Sequence, residues 1–249
     1  LTCITYDKLS LIACPVLIIG AKQDQIVGDK ASYEMQEQLK CDLYKRPLKH
    51  KKIDPVAFVD IVCDDNCFQG YKVQKIEDIK FPFVLEKESV IIDFGFHYTG
   101  YLHMELDAGS GNHIPDSPTN ISFSFAEMPI EIMESIEDSP KSLSVGWAQN
   151  DFKSVVFMPY KGSLERRYSF RYLKLERIDS VRFPIKVKAL YIDSVSAVDI
   201  VDAKKVDIKD ETLRRIDEMC VKTLAECEQD VFEDGPKRDR RLWIGDLRL

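Results

Sequence analysis

Between Val56 and about Val201 the chain is a succession of short runs, β-branched and aromatic or alternating in polarity, broken by Gly, Pro, Asn and Asp. No long helix fits such punctuation, and this constrains the fold more than any other feature. The runs predict strands over Ala57 to Val62, Ser89 to Phe94, Gly100 to Leu106, Asn120 to Phe125, Ser154 to Met158, Arg167 to Leu175 and Ile185 to Ile192. Turn signals lie between them, such as AGSGN at Ala108 to Asn112 and PDSP at Pro115 to Pro118. Many short strands with frequent turns favour an antiparallel β-sandwich.

The flanks have other periods. Residues 1–48 read as a short α/β segment: Val16 to Ile19 is an all-apolar run with β-branched residues, as in a strand covered on both faces. A loop, GAKQDQIVGDK, follows it. Asp29 is placed to cap a helix running to about Leu39, and Cys41 to Tyr44 suits another short strand. Lys49, Lys51 and Lys52 read as a solvated loop within a linker, Pro47 to Pro55. A second linker is expected at Val201 to Lys209. After it, Leu213, Ile216, Cys220, Leu224 and Cys227 recur at three and four residues, the apolar face of a helix. Asp210 is its expected N-cap, and Glu218 with Lys222 an ion pair on its outer face. The class is therefore α+β, with a sandwich over residues 56–201 and a helix opening the segment 209–249.

A net charge of −7 argues against nucleic acid, whose phosphates demand a basic face. The longest apolar run, Cys14 to Gly20, is too short to span a bilayer, so no membrane role is expected. Seven cysteines at irregular spacing suit a reducing, cytoplasmic setting. Cys63 and Cys67 are spaced for a metal on a helix but lack a second pair, so no metal is expected. His97, His103 and His113 read as surface or strand-packing residues, and Trp147 as core rather than a sugar platform. Glu127, Glu131 and Glu134 read as solvated acids without partners. Arg166 and Arg167 with Tyr168, Phe170 and Tyr172 give a strand with one charged and one aromatic face.

The segment EDGPKRDRRLWIGD, Glu233 to Asp246, carries the chemistry. It interleaves Asp234, Asp239 and Asp246 with Arg238, Arg240 and Arg241, beside Trp243. A sugar site needs this mixture: acids to move protons, guanidinium forks to grip hydroxyls, a flat ring against the pyranose. The chain opens at Leu1 rather than Met and closes three residues after Asp246, as expected of a fragment.

Four separated segments, in order, resemble the α-L-rhamnosidases of glycoside hydrolase family 78. They are IIDFGFHYTGYLHMEL (Ile91 to Leu106), PDSPTNISFSFAEMPIEI (Pro115 to Ile132), RRYSFRYLKL (Arg166 to Leu175) and the terminal motif. The resemblance covers roughly residues 56–249. It implies a β-sandwich ahead of a six-hairpin (α/α) barrel, of which residues 209–249 would be the start and the helix from Lys209 to about Asp230 the first helix, and inverting hydrolysis of terminal α-L-rhamnosyl linkages. Asp239 falls where the family's general acid stands, one methylene shorter than the Glu of many members. Asp234 and Asp246 fall on carboxylates that hold rhamnose hydroxyls, and Arg238 and Trp243 match the motif's Arg and Trp. Gly235 replaces the family's usual Cys. The implied partner is a rhamnose-containing glycan or glycoside, no cofactor is needed, and the base lies outside this chain, which alone would not turn over. The alternative is a non-catalytic carbohydrate-binding or structural sandwich module. Oligomeric state and aglycone stay open.

The first segment, LIACPVLIIGAKQDQIVG, resembles the late strand and acid loop of an α/β-hydrolase, with Asp24 in the place of the triad acid. No G-x-S-x-G elbow accompanies it, and the flank of His50 is unlike the family's His loop.

Overall fold

The computed structural model describes residues 47–86, 88–109, 118–134, 151–178, 184–203, 206–238 and 240–242. The chain divides into two compact units, Leu1–Pro47 and Leu48–Leu249. The α/β reading of residues 1–48, with Asp24, lies outside the described residues but for Pro47 and Leu48, as do His113 and Trp147.

The second unit is a mostly antiparallel β-structure with few helices. Its strands are β1 (Lys49–Ile53), β2 (Ala57–Cys63), β3 (Tyr71–Asp78), β4 (Phe83–Leu85), β5 (Ser89–Ala108), β6 (Thr119–Ala126), β7 (Asp151–Val156), β8 (Tyr160–Ser163), β9 (Tyr168–Arg177) and β10 (Ile185–Ser196). Among the described residues two α-helices accompany them, the short α1 (Ile130–Met133) and α2 (Glu211–Cys227). Among the described residues no helix is long and apolar enough to cross a membrane.

Strand β5 organises everything else. The sequence predicts two strands here, over Ser89 to Phe94 and Gly100 to Leu106; the structure has one strand of 20 residues. Its first half pairs with β2 on one edge and β9 on the other, and β9 continues to β6 and β7. Its second half pairs with β10 and β8. Between the halves, the register with β9 shifts from Asp93 to Tyr98. Gly95 takes φ +82°, a backbone state that costs glycine little. Asp93 fixes the bend: its Oδ1 accepts the Gly95 amide at 2.7 Å, and both its carboxylate oxygens accept from Arg171 on β9, each at 2.9 Å. A strand that bends and passes between layers is how sandwich corners are turned.

Side chains from both halves share one core. Leu102, Leu106, Leu190 and Ile192 meet Phe94, Phe123, Phe170 and Leu173 there, all essentially without solvent contact. A smaller cluster of Ala57, Val59, Ala126 and Tyr172 lies apart from it, with Ile132 of α1 packed against it.

Four strands were not legible. The Lys49–Lys52 loop is strand β1, paired along its length with β10 from Ile192 to Ser196. Only Ile53 of β1 is buried, so no hydrophobic alternation announces it. Strand β3 is likewise mostly exposed, and β4 and β8 are three and four residues long. Polar or very short edges of this kind are how sheets blunt their unpaired backbone.

Helix α2 begins as expected, with Asp210 Oδ1 accepting the Leu213 amide at 2.9 Å. Its apolar face is mostly uncovered among the described residues. Leu213, Ile216, Cys220 and Leu224 are exposed, and only Ala225, Glu226 and Cys227 of the last turn are buried. The predicted Glu218–Lys222 pair is also replaced. Arg214 bonds Glu218 at 2.9 Å and also Glu211, while the Lys222 ammonium lies over the rings of Phe96 and Tyr98, 3.7 and 4.1 Å from their centroids.

Gly100 sits where β5 meets β10 most closely: a Cβ there would come within 2.2 Å of the Asp193 carbonyl oxygen, a backbone atom that cannot swing aside. Gly100→Ala is expected to lower unfolding free energy by about 1–3 kcal/mol in urea titration. Gly235→Ala, with nothing within 4 Å of the added carbon, should stay within about 0.5 kcal/mol of wild type.

Candidate functional site

The C-terminal end of α2 must find partners for its last carbonyls. The sandwich supplies several. Ser196 Oγ, at the end of β10, donates to the Ala225 carbonyl at 2.7 Å, and the Ala197 amide to that of Glu228 at 2.7 Å. Gln229 Nε2 donates to the carbonyls of Glu226 (2.9 Å) and Val195 (2.8 Å). The Cys227 carbonyl accepts the amides of Gln229 and Glu233. The Glu226 side chain reaches into the sandwich, where its Oε2 accepts the Thr99 amide on β5.

The charged segment follows directly and is tied to the sandwich. Arg167, just before β9, donates from Nη1 to Gln229 Oε1 at 2.6 Å and from Nη2 to Glu233 Oε1 at 2.5 Å. The Arg167 carbonyl accepts Arg240 Nη2 at 2.7 Å, and Arg240 Nε donates to the Pro236 carbonyl at 2.8 Å. These bonds hold Arg240 at φ +54°, which few residues other than glycine adopt. Lys237 Nζ meets Glu131 Oε2 of α1 at 2.6 Å, and that oxygen also accepts the Glu127 amide at 2.7 Å.

The acids expected to be solvated and unpartnered are therefore engaged. Besides Glu131, Glu127 accepts His97 at 2.9 Å, and Glu134 accepts the Tyr71 hydroxyl at 3.0 Å. The ordinary strand role expected of Arg167 is corrected too: its fork is spent on the segment after α2. None of these pairings leaves a sequence signal, since the partners stand 30 to 106 residues apart.

Of the predicted site residues, Asp234 and Arg238 are described, and both are exposed. Asp234 closes the loop: its amide donates to the Arg241 carbonyl at 2.9 Å, and its Oδ1 accepts the Arg241 amide at 3.2 Å. Asp239, Trp243 and Asp246 lie outside the described residues. Gly235 has open space where a Cβ would stand, so the position accepts a side chain such as the Cys expected there from the resemblance. The Asp234 carboxylate and the Arg238 guanidinium thus sit on the solvent side of a loop whose backbone is tied to the sandwich.

Several charged groups around this support are shifted from their ordinary values. Burial raises the Glu226 carboxyl above its ordinary value, against the opposing pull of His97, the Thr99 amide and Lys222. Burial draws Lys222 down to about 8, partly offset by Glu226. Burial, reinforced by Arg166 and Arg167, draws Arg240 down to about 10. For Glu127, burial acts upward but the hydrogen bond from His97 and the charges of Lys237 and His97 outweigh it, leaving the carboxyl below its ordinary value. Among the described residues no group of three or more His, Cys, Asp or Glu side chains is arranged to hold a metal ion.

A mostly antiparallel β-structure with few helices, consistent with a β-sandwich domain, here braces a helix end and a charged loop. The chain belongs to the glycosyl hydrolase family 78 α-rhamnosidase N-terminal domain family, whose model matches residues 55–194. A solved rhamnosidase from Klebsiella oxytoca with rhamnose bound is 33% identical, with a TM-score of 0.73 over 82% of this chain and 40% of that one. The family 78 rhamnosidase of Bacillus sp. GL1 shares the fold at 20% identity, with a TM-score of 0.54 over 71% of this chain and 18% of that one. The chain thus spans well under half the length of these rhamnosidases. No curated protein matches it.

Glu226 gives the site a pH signature. Its folded pKa lies above the ordinary 4.5, so the stability it contributes is present below 4.5 and lost as pH rises through the folded value. Glu226→Gln keeps an acceptor for the Thr99 amide and removes the titration. In urea unfolding at a series of pH values, the stability of the variant relative to wild type should rise with pH above 4.5. A constant difference would show that Glu226 does not titrate abnormally.

Proposed function

We propose that the chain supplies the sandwich and the acid-bearing loop of an enzyme that hydrolyses terminal α-L-rhamnosyl linkages with inversion. Family membership carries the reading, together with the 33% identity to a rhamnosidase whose structure holds rhamnose. In this reading Asp239 is the general acid and protonates the departing glycosidic oxygen. Asp234 and Asp246 accept hydrogen bonds from rhamnose hydroxyls, Arg238 donates to them, and Trp243 lies against the ring. The exposure of Asp234 and Arg238 on a braced loop supports the assignment. Acid–base hydrolysis of this kind requires no cofactor, and the substrate is a rhamnose-containing glycan or glycoside.

An inverting enzyme activates water with a second carboxylate about 6.5–9.5 Å from the acid. That base is assigned to the portion of the enzyme that this chain does not span, so the chain alone is inactive. Helix α2 is then the first helix of a six-hairpin barrel. Its exposed Leu213, Ile216, Met219 and Leu224 would be covered by neighbouring barrel helices.

The test is turnover of an aryl α-L-rhamnoside by the full-length enzyme, with Asp239→Asn beside it. Loss of a general acid should cost about 10²–10⁴-fold in kcat. Undiminished turnover in the variant would remove Asp239 from the role.

A further inference from the structure

We infer that Arg167 is the positioning residue that sets the acid-bearing loop on the sandwich. The inference rests on the function proposed above, since the loop carries Asp239 between two anchored neighbours. Three interactions converge on this one residue. Its two terminal nitrogens take Gln229 Oε1 and Glu233 Oε1, at 2.6 and 2.5 Å, and its carbonyl takes Arg240 Nη2 at 2.7 Å. Gln229 and Glu233 precede the predicted acid and Arg240 follows it, so one strand-end residue grips the loop on both sides.

The partners have no alternative. Gln229 is fully buried and spends its amide nitrogen on the Val195 and Glu226 carbonyls, which leaves Oε1 to Arg167. Glu233 is 5% exposed, and its Oε2 has no partner among the described residues, so Arg167 supplies the compensating charge for this carboxylate. Only a planar guanidinium offers two parallel donors at this spacing; an ammonium reaches one acceptor or the other. Because the fork stands immediately before β9, which pairs directly with β5, the loop is held to the sheet as well as to the end of α2.

The experiment compares Arg167→Lys with the double variant Arg167→Met/Glu233→Met, which avoids stranding a buried carboxylate. In this chain, amide hydrogen exchange is followed at Asp234, Arg240 and Arg241 in the loop, and at Leu173 and Ile192 in the core strands. In the full-length enzyme, kcat and KM are measured on an aryl α-L-rhamnoside. Exchange at the loop amides should rise about tenfold or more in both variants while the core strands are unchanged, as expected when a charged hydrogen bond is lost locally. kcat should fall with KM within about twofold of wild type, the mark of an interaction that matters in the transition state. Unchanged loop exchange, or a uniform rise through the whole domain, overturns the inference. Absence of turnover in the wild-type enzyme would instead overturn the rhamnosidase reading, and the exchange contrast would then decide on Arg167 by itself.

Discussion

A helix that ends against a sheet leaves carbonyl oxygens with nowhere to go, and satisfying them shapes this domain. Buried backbone acceptors without donors are costly. Here the end of β10 provides Ser196 and Ala197, and Gln229 folds back to provide its amide. With the last turn of α2 so capped, the chain leaves it in a fixed direction. Glu233 arrives at Arg167, and the charged loop closes through Asp234 and Arg241. Remove the cap, and the loop has no defined starting point.

Charge follows a division of labour. Two groups that build the support are buried and compensated by residues in or beside the sheet: Glu226 by the Thr99 amide and Glu233 by Arg167. Breaking such pairs one member at a time leaves an uncompensated charge in a poorly solvated place. Exposed pairs such as Lys75–Asp78 and Lys52–Asp54 contribute little by comparison. Asp234 and Arg238, by contrast, are exposed.

What could be read from the sequence follows from what leaves a local trace. Strands whose side chains enter the core, such as β6 and β10, announce themselves by β-branched and aromatic runs. Strands β1 and β3 do not, because most of their side chains face water and their pairing is made by backbone. The bend in β5 looked like a chain break, since Gly95 and Gly100 bracket it; tertiary pairing with β9 on both sides of the shift makes it one strand. Asp210 was legible as a cap because capping is local. The apolar stripe of α2 was legible too, but periodicity shows which face is apolar and not whether this domain covers it. The terminal motif was recognisable by composition, whereas the residue that holds it, Arg167, was hidden: nothing within a strand marks a side chain for partners 62 and 66 positions away.

The continuity of β5 has a mechanical consequence. Each layer borrows the same backbone, and Phe94 and Leu102, on either side of the corner, sit in one shared core. Detaching β2 or β9 from its first half therefore disturbs the residues that brace β10, and with them the floor under α2. The layers cannot melt one at a time. A continuous strand shared by both sets of pairings transmits strain along its backbone, so a pull at one end of β5 is felt at the other.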